Sequence, residues 1–267
     1  RSFQISAVFG HLTVLENVRI ALKRKRGDNF DFWRPQRVLD TRPDYVGDAA
    51  VAVVDVGAAG VPQGASSVVL NLTATETTAP GFCTVFPYSD PEPPFTSSLN
   101  WSAAGATRAS AVIAPIGPER WVKVYTYTAA KLIVDVTGYF TGPGHPESTE
   151  GTFVALDPVR IMDTRRADQI DPLTPGGVLW PGWVREATIP GRAGSDAASV
   201  LINLTATQTR AAGFLTVGPA RVPLPGTSNV NWTTAGATVP NHAITRVTAA
   251  HGLQVYTPFG SAIVADM

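Results

Sequence analysis

The stretch SVVLNLTAT (residues 67–75) returns almost unchanged as SVLINLTAT (residues 199–207). In the first copy Val68, Leu70, Leu72 and Ala74 alternate with Val69, Asn71, Thr73 and Thr75. In the second, Val200, Ile202, Leu204 and Ala206 alternate with Leu201, Asn203, Thr205 and Thr207. A period of two sorts the two sets onto opposite faces of a β-strand. One face is expected in a core, and the other starts apolar and ends as an Asn/Thr ladder. The same reading finds strands near residues 50–56, 82–86, 111–116, 121–127 and 132–139, with Gly/Pro turns between them. The expected fold is all-β, an antiparallel sandwich of jelly-roll type, with a trefoil-like barrel as the alternative.

The duplication extends on both sides of this strand. RVLDTR (37–42) returns as RIMDTR (160–165), GFCTV (81–85) as GFLTV (213–217), LNWSAAGAT (99–107) as VNWTTAGAT (230–238), and VYTY (124–127) as VYTP (255–258). Order is kept while the offset grows from 123 to about 131, which places the extra residues in a loop after the first motif. A period this long lies far above those of solenoids and propellers, so each copy is expected to be a whole domain. The boundaries read as 36–140 and 153–267, joined by a polar, Pro/Gly-rich linker over 141–152.

Composition narrows the function classes. Of 267 residues, 21 are Lys or Arg and 21 are Asp or Glu, so the formal charge is zero. A dedicated nucleic-acid surface normally shows as a basic excess, and none is present. One Cys excludes an internal disulfide and a multi-Cys zinc site. The longest apolar runs, 51–56 and 110–116, are too short for a membrane-spanning helix. The chain opens on Arg1 and closes at Met267 inside a strand-like motif, which reads as a piece of a longer reading frame. The last strand of the second copy is accordingly expected to be cut short.

Residues 1–35 differ from both copies. Thr13 and Glu16 form a T-x-x-E capping box, Val14, Val18, Ala21 and Leu22 follow at helical spacing, and Lys23, Arg24, Lys25 and Arg26 sit where the helix would end. A short helical segment is expected. RSFQISAVFGHLTVLENVRIALKRKRGDNFDFWR (1–34) resembles part of the ATP-binding subunit of branched-chain amino acid ABC transporters. That resemblance implies that Gln4 matches a loop glutamine sensing nucleotide and metal. No G-x-x-x-x-G-K-[ST] loop accompanies it, so ATP hydrolysis is not expected and the segment reads as a joined fragment of a transporter gene.

The duplicated motifs together, RVLDTR, VVLNLTAT, the GF and LNW stretches and the closing IVDVTGYF (133–140), resemble a repeat domain of exported actinobacterial proteins. The resemblance covers nearly all of the chain after Pro35. It implies a non-catalytic module, secreted or at the cell surface, that binds cell-wall or other carbohydrate or spaces an adjoining secreted hydrolase. A purely structural or adhesive role in protein contacts is the second expectation.

Two residue sets are the candidate sites. Arg37, Asp40 and Arg42, matched by Arg160, Asp163 and Arg165, are either a carboxylate–guanidinium grip on a polar ligand or a self-paired strand start; the second is favoured because no His or nucleophile accompanies them. Asn100–Trp101 and Asn231–Trp232 pair an aromatic face with an amide, the chemistry of sugar recognition if the indoles are exposed; a Trp just before a G-A-T turn equally suits a cap on the core edge. Tyr125 and Tyr256 occupy equivalent places. Trp121, Lys123, Tyr125 and Tyr127 share one face of a strand, but Gly252 stands opposite Trp121 in the repeat, so a platform there belongs to the first domain alone. The sequons at Asn71, Asn100, Asn203 and Asn231 fall inside strand motifs and read as coincidence. No cofactor and no catalytic group is expected: His11, His145, His242 and His251 have no counterparts in the other copy, and Cys83 aligns with Leu215 as a small core residue.

Overall fold

The computed structural model describes residues 35–141, 156–165, 179–190, 197–248, 250 and 252–267. The expected N-terminal helix and the linker core lie outside the described residues. The main division between two compact units falls between Val154 and Ala155.

Among the described residues the first unit shows eight strands: β1 (Gln36–Asp40), β2 (Ala50–Asp55), β3 (Ala65–Thr75), β4 (Gly81–Pro87), β5 (Leu99–Trp101), β6 (Arg108–Pro115), β7 (Trp121–Thr126) and β8 (Lys131–Thr141). They form two four-stranded sheets in the orders β1-β8-β3-β6 and β2-β7-β4-β5. The second unit repeats the plan with β9 (Arg160–Asp163), β10 (Trp183–Thr188), β11 (Ser199–Thr207), β12 (Gly213–Pro219), β13 (Val230–Trp232), β14 (Val239–Arg246), β15 (Gly252–Thr257) and β16 (Ala262–Asp266). Its sheets run β9-β16-β11-β14 and β10-β15-β12-β13. Strand for strand this is the jelly-roll order, two facing antiparallel sheets built by chain crossings between them. The trefoil-like alternative is thereby replaced.

Each sandwich closes over its own core. In the first, Leu70, Leu72 and Ala74 of β3 and Leu132 and Val134 of β8 meet Cys83 and Val85 of β4 and Val122 and Val124 of β7. In the second, Ile202, Leu204, Ala206 and Ile263 meet Leu215, Val217, Leu253 and Val255. At roughly 25 cal/mol per Å² of apolar area buried, these layers supply the main driving force for folding. Burial pushes the Cys83 thiol up to about 12, so it behaves as the core hydrophobe its alignment with Leu215 suggested.

The alternation read in the sequence holds on β11, whose burial rises and falls with period two. On β3 it does not: Val68 through Ala74 are all buried, so Asn71 and Thr73 lie out of solvent although they face away from the core. Strands β5 and β13 were not read in the sequence because three residues carry too little periodicity to register, and β10 was not named among the expected strands. The final strand of the second unit is short as expected, five residues against eleven in β8, yet all five pair with β11 and three pair with β9.

Candidate functional site

The Arg-Asp-Arg motifs turn inward on the protein. Asp40 accepts hydrogen bonds from the Arg42 backbone N–H (3.1 Å), from Arg42 Nε (2.8 Å) and from Arg37 Nη1 (3.2 Å). Arg37 also donates through Nε to Asp135 on β8 at 3.1 Å. Thr41 completes the staple: its Oγ1 accepts from the Leu132 N–H at 2.8 Å. The second unit repeats each contact, with Asp163 accepting from the Arg165 N–H (3.1 Å), Arg165 Nε (2.8 Å) and Arg160 Nη1 (2.7 Å), Arg160 Nε donating to Asp266, and Thr164 Oγ1 accepting from the Ile263 N–H at 2.8 Å. The Arg42 and Arg165 hydrogen bonds hold both Asp40 and Asp163 well down, at about 2. The motif ties the first strand of each sandwich to its last.

Of the two readings of the repeated tryptophans, the structure shows the core-edge one and not the exposed sugar-binding one. Trp101 is 5% exposed and Trp232 1%. Each spends its single donor inside the fold, Trp101 Nε1 on the Ala79 carbonyl at 2.7 Å and Trp232 Nε1 on the Ala211 carbonyl at 2.6 Å. Neither ring face is free to stack on a sugar. The reason lies in β5 and β13: alternation on a short edge strand turns Leu99 and Trp101, like Val230 and Trp232, into the core. Asn100 points outward and donates to Ser97 Oγ at 2.8 Å, whereas Asn231 is buried. The turn after each Trp is held by a repeated threonine. Thr77 Oγ1 donates to the Ala103 carbonyl (2.8 Å) and accepts from the Ala106 N–H (2.9 Å). Thr209 does the same with the Thr234 carbonyl (3.0 Å) and Ala237 N–H (2.8 Å). Gly105 and Gly236 sit at φ +69° and +73° in these turns, a conformation that a Cβ disfavours.

The outer face of the β2-β7-β4-β5 sheet is solvent-facing over β2 and β7, while Thr84 and Phe86 of β4 are buried. Strand β7 alternates so that Val122, Val124 and Thr126 are buried while Trp121, Lys123 and Tyr125 face out. Cross-strand register sets Val51 and Thr84 on either side of Tyr125, and Val53 and Phe86 on either side of Lys123. Tyr127, just past the strand, stacks on Phe82 with ring centres 5.2 Å apart and planes 8° from parallel. At the other end Tyr88 stands edge-on against Trp121 at 5.0 Å. Lys123 lies over the Phe86 and Tyr88 rings and donates to the Asp90 carbonyl at 2.9 Å. Trp121 is 37% exposed, Tyr127 55%, Val51 46% and Val53 48%, a contiguous amphipathic strip on a rigid sheet.

The second unit lacks this strip. Gly252 replaces Trp121, Gln254 stands where Lys123 does and donates to the Val222 carbonyl at 2.6 Å, and Gly218 replaces Phe86 beneath Pro225. Tyr256 with Phe214, 6.4 Å apart, is the part that repeats. Among the described residues no three His, Cys, Asp or Glu side chains gather where they could hold a metal ion, and no helix is long and apolar enough to cross a membrane.

No protein-family model matches this chain, and no curated protein matches it. Among solved structures it is similar to the N-terminal CBM22-1-CBM22-2 tandem domain from Paenibacillus barcinonensis Xyn10C, at 9% identity over 91% of this chain and 99% of that one, with a TM-score of 0.27. It is also similar to the coconut allergen cocosin, at 11% identity over 88% of this chain and 85% of that one, with a TM-score of 0.16. Likenesses this distant carry nothing about function.

Proposed function

We propose that the chain is a pair of non-catalytic binding modules of an exported protein, the first of which holds a carbohydrate chain across its β2-β7-β4-β5 sheet. The observation that carries this reading is the line of Trp121 and Tyr125 along β7, continued by Tyr127 just past its end. At a rise of about 3.4 Å per residue, Trp121 and Tyr125 stand about 14 Å apart along the strand, room for several pyranose rings side by side. Aromatic faces supply apolar contact to sugar C–H groups, and Lys123 and the phenolic hydroxyls supply hydrogen bonds to their oxygens. Because the strip belongs to strands rather than loops, little ordering cost attends binding.

Affinity electrophoresis of the intact chain against cell-wall polymers and soluble neutral polysaccharides tests it. Retardation that is lost in Trp121→Ala combined with Tyr127→Ala supports the site, and retardation unchanged in that double variant removes it. The spacer or adhesive reading is favoured by a different observation, that every repeated motif is consumed by the scaffold. No retardation by any glycan, together with self-association in sedimentation, would decide for it.

A further inference from the structure

The second unit carries exposed aromatic residues of its own, on segments that lie outside its sheet strands or at their start. Three segments meet. Residues 179–182 lead into β10, residues 208–212 join β11 to β12, and residues 258–261 join β15 to β16. They are laced together by backbone hydrogen bonds from Leu179 to Ser261 (2.9 Å), from Gly182 to Thr257 (2.9 Å) and from Arg210 to Gly260 (3.1 Å). The Arg210 guanidinium carbon lies 5.1 Å from the centre of the Trp180 ring. Gly260 makes that arrangement possible: a Cβ there would lie 2.8 Å from the Leu179 carbonyl oxygen and 3.2 Å from Arg210 Cδ. Trp180, Trp183 and Phe259 are 57%, 55% and 48% exposed.

The matching part of the first unit is built differently. There Lys131 is neutralised by Glu76 at 2.6 Å and lies 5.0 Å from the Tyr45 ring centre. Gln208 occupies the place of Glu76, both with left-handed φ near 50°, so the carboxylate is absent from the second unit. None of the three segments contains an Asp or Glu, and Arg210 has no ion-pair partner among the described residues. A cation stacked on an indole, with no carboxylate partner among the described residues and with Trp183 and Phe259 exposed on the adjoining segments, is arranged for a ligand that brings both an apolar face and a negative charge.

We propose that Trp180 and Arg210 form a second sugar site, one that takes a pyranose bearing a carboxylate. The Trp180 and Phe259 rings offer the apolar surface and Arg210 the fork that a carboxylate matches with two hydrogen bonds. The proposal rests on the carbohydrate reading of the chain, but on different residues in a different unit.

Isothermal titration of the intact chain with trigalacturonate and with its methyl ester tests it. The free acid binds, and esterification, which removes the charge and keeps the rings, weakens binding about tenfold or more. Arg210→Gln weakens the free acid about tenfold and leaves the ester unchanged, while Trp180→Ala weakens both. All three groups are exposed, so both variants keep the native melting temperature. Acid and ester bound alike, free acid not bound, or Arg210→Gln without effect would each overturn the site. Trp121→Ala leaves this binding intact; if it abolishes it, the acid binds the first unit and the proposal fails. Loss of neutral-glycan binding at the sheet face, with trigalacturonate binding retained, would sink only the sheet-face reading.

Discussion

Arg37 and Asp135, 98 residues apart in sequence, are joined by a 3.1 Å hydrogen bond from Nε to Oδ1 that ties β1 to β8. The equivalent tie, Arg160 to Asp266, closes the second unit. A jelly roll pairs its first strand with its last, so this contact fastens the two ends of each domain.

Loss of the clamp carboxylate destabilises each unit, and the second more than the first. Asp163 is nearly buried while Asp40 is partly exposed, so solvent screens the Asp40 pairs more. Asp163→Asn is expected to cost about 2 kcal/mol and Asp40→Asn about 1 kcal/mol. Urea unfolding of the two variants checks the order. A larger loss at Asp40 would contradict the dependence on burial.

Acid acts through the same pair. Both Asp40 and Asp163 have folded values near 2, below the ordinary 3.8, because their Arg partners bond the ionised form. A depressed carboxylate contributes stability that is complete above its unfolded value and is lost as pH falls through the folded one. Stability should therefore decline between about pH 4 and pH 2. Asp135 works the other way: burial raises it, so its protonation in acid relieves part of the cost. Melting curves of Asp40→Asn/Asp163→Asn should show a flatter acid limb than the native chain. An equally steep limb would assign acid unfolding to other groups.

The tryptophans of the LNW motifs report on stability and not on ligands. Trp101→Ala and Trp232→Ala should each cost about 3–5 kcal/mol by the cavity left behind. Trp101→Phe is milder, leaving the Ala79 carbonyl with only the longer bond from the Thr128 hydroxyl, and should retain any glycan binding shown by the native chain. A folded Trp101→Phe protein that has lost glycan binding would place Trp101 in the site after all.

Thr77→Val and Thr209→Val keep shape and remove a hydroxyl that serves as donor and acceptor at once. Each leaves a backbone N–H and a carbonyl of the following turn without that partner, for a cost of about 1–3 kcal/mol in its own unit. Hydrogen exchange at Ala106 and Ala237 should quicken in step. Unchanged protection there would mean that the Gly105 and Gly236 turns hold without the threonine.

Much of the fold was legible because a half-buried strand writes its two faces into alternate residues. VLNLTA and INLTAT showed β3 and β11, and five more segments of the first copy showed β2, β4, β6, β7 and β8. The three-residue strands β5 and β13 were not legible, and with them went the orientation of Trp101 and Trp232. Local sequence shows an Asn beside a Trp but not which of the two an edge strand turns inward. Trp121, Lys123, Tyr125 and Tyr127 were legible as one face, since they lie on a single strand.

Two like copies rich in strands, the repeat of the Arg-Asp-Arg motifs and the lack of a counterpart to Trp121 could all be read from residue order alone. Those are properties of spacing along the chain. Only the tertiary structure decided that Arg37 meets Asp135 and that Trp101 is core. It alone gathered Trp180, Arg210 and Phe259 from three separate turns. Such meetings depend on how strands distant in sequence cross between sheets, and the spacing of neighbours along a chain holds no record of them.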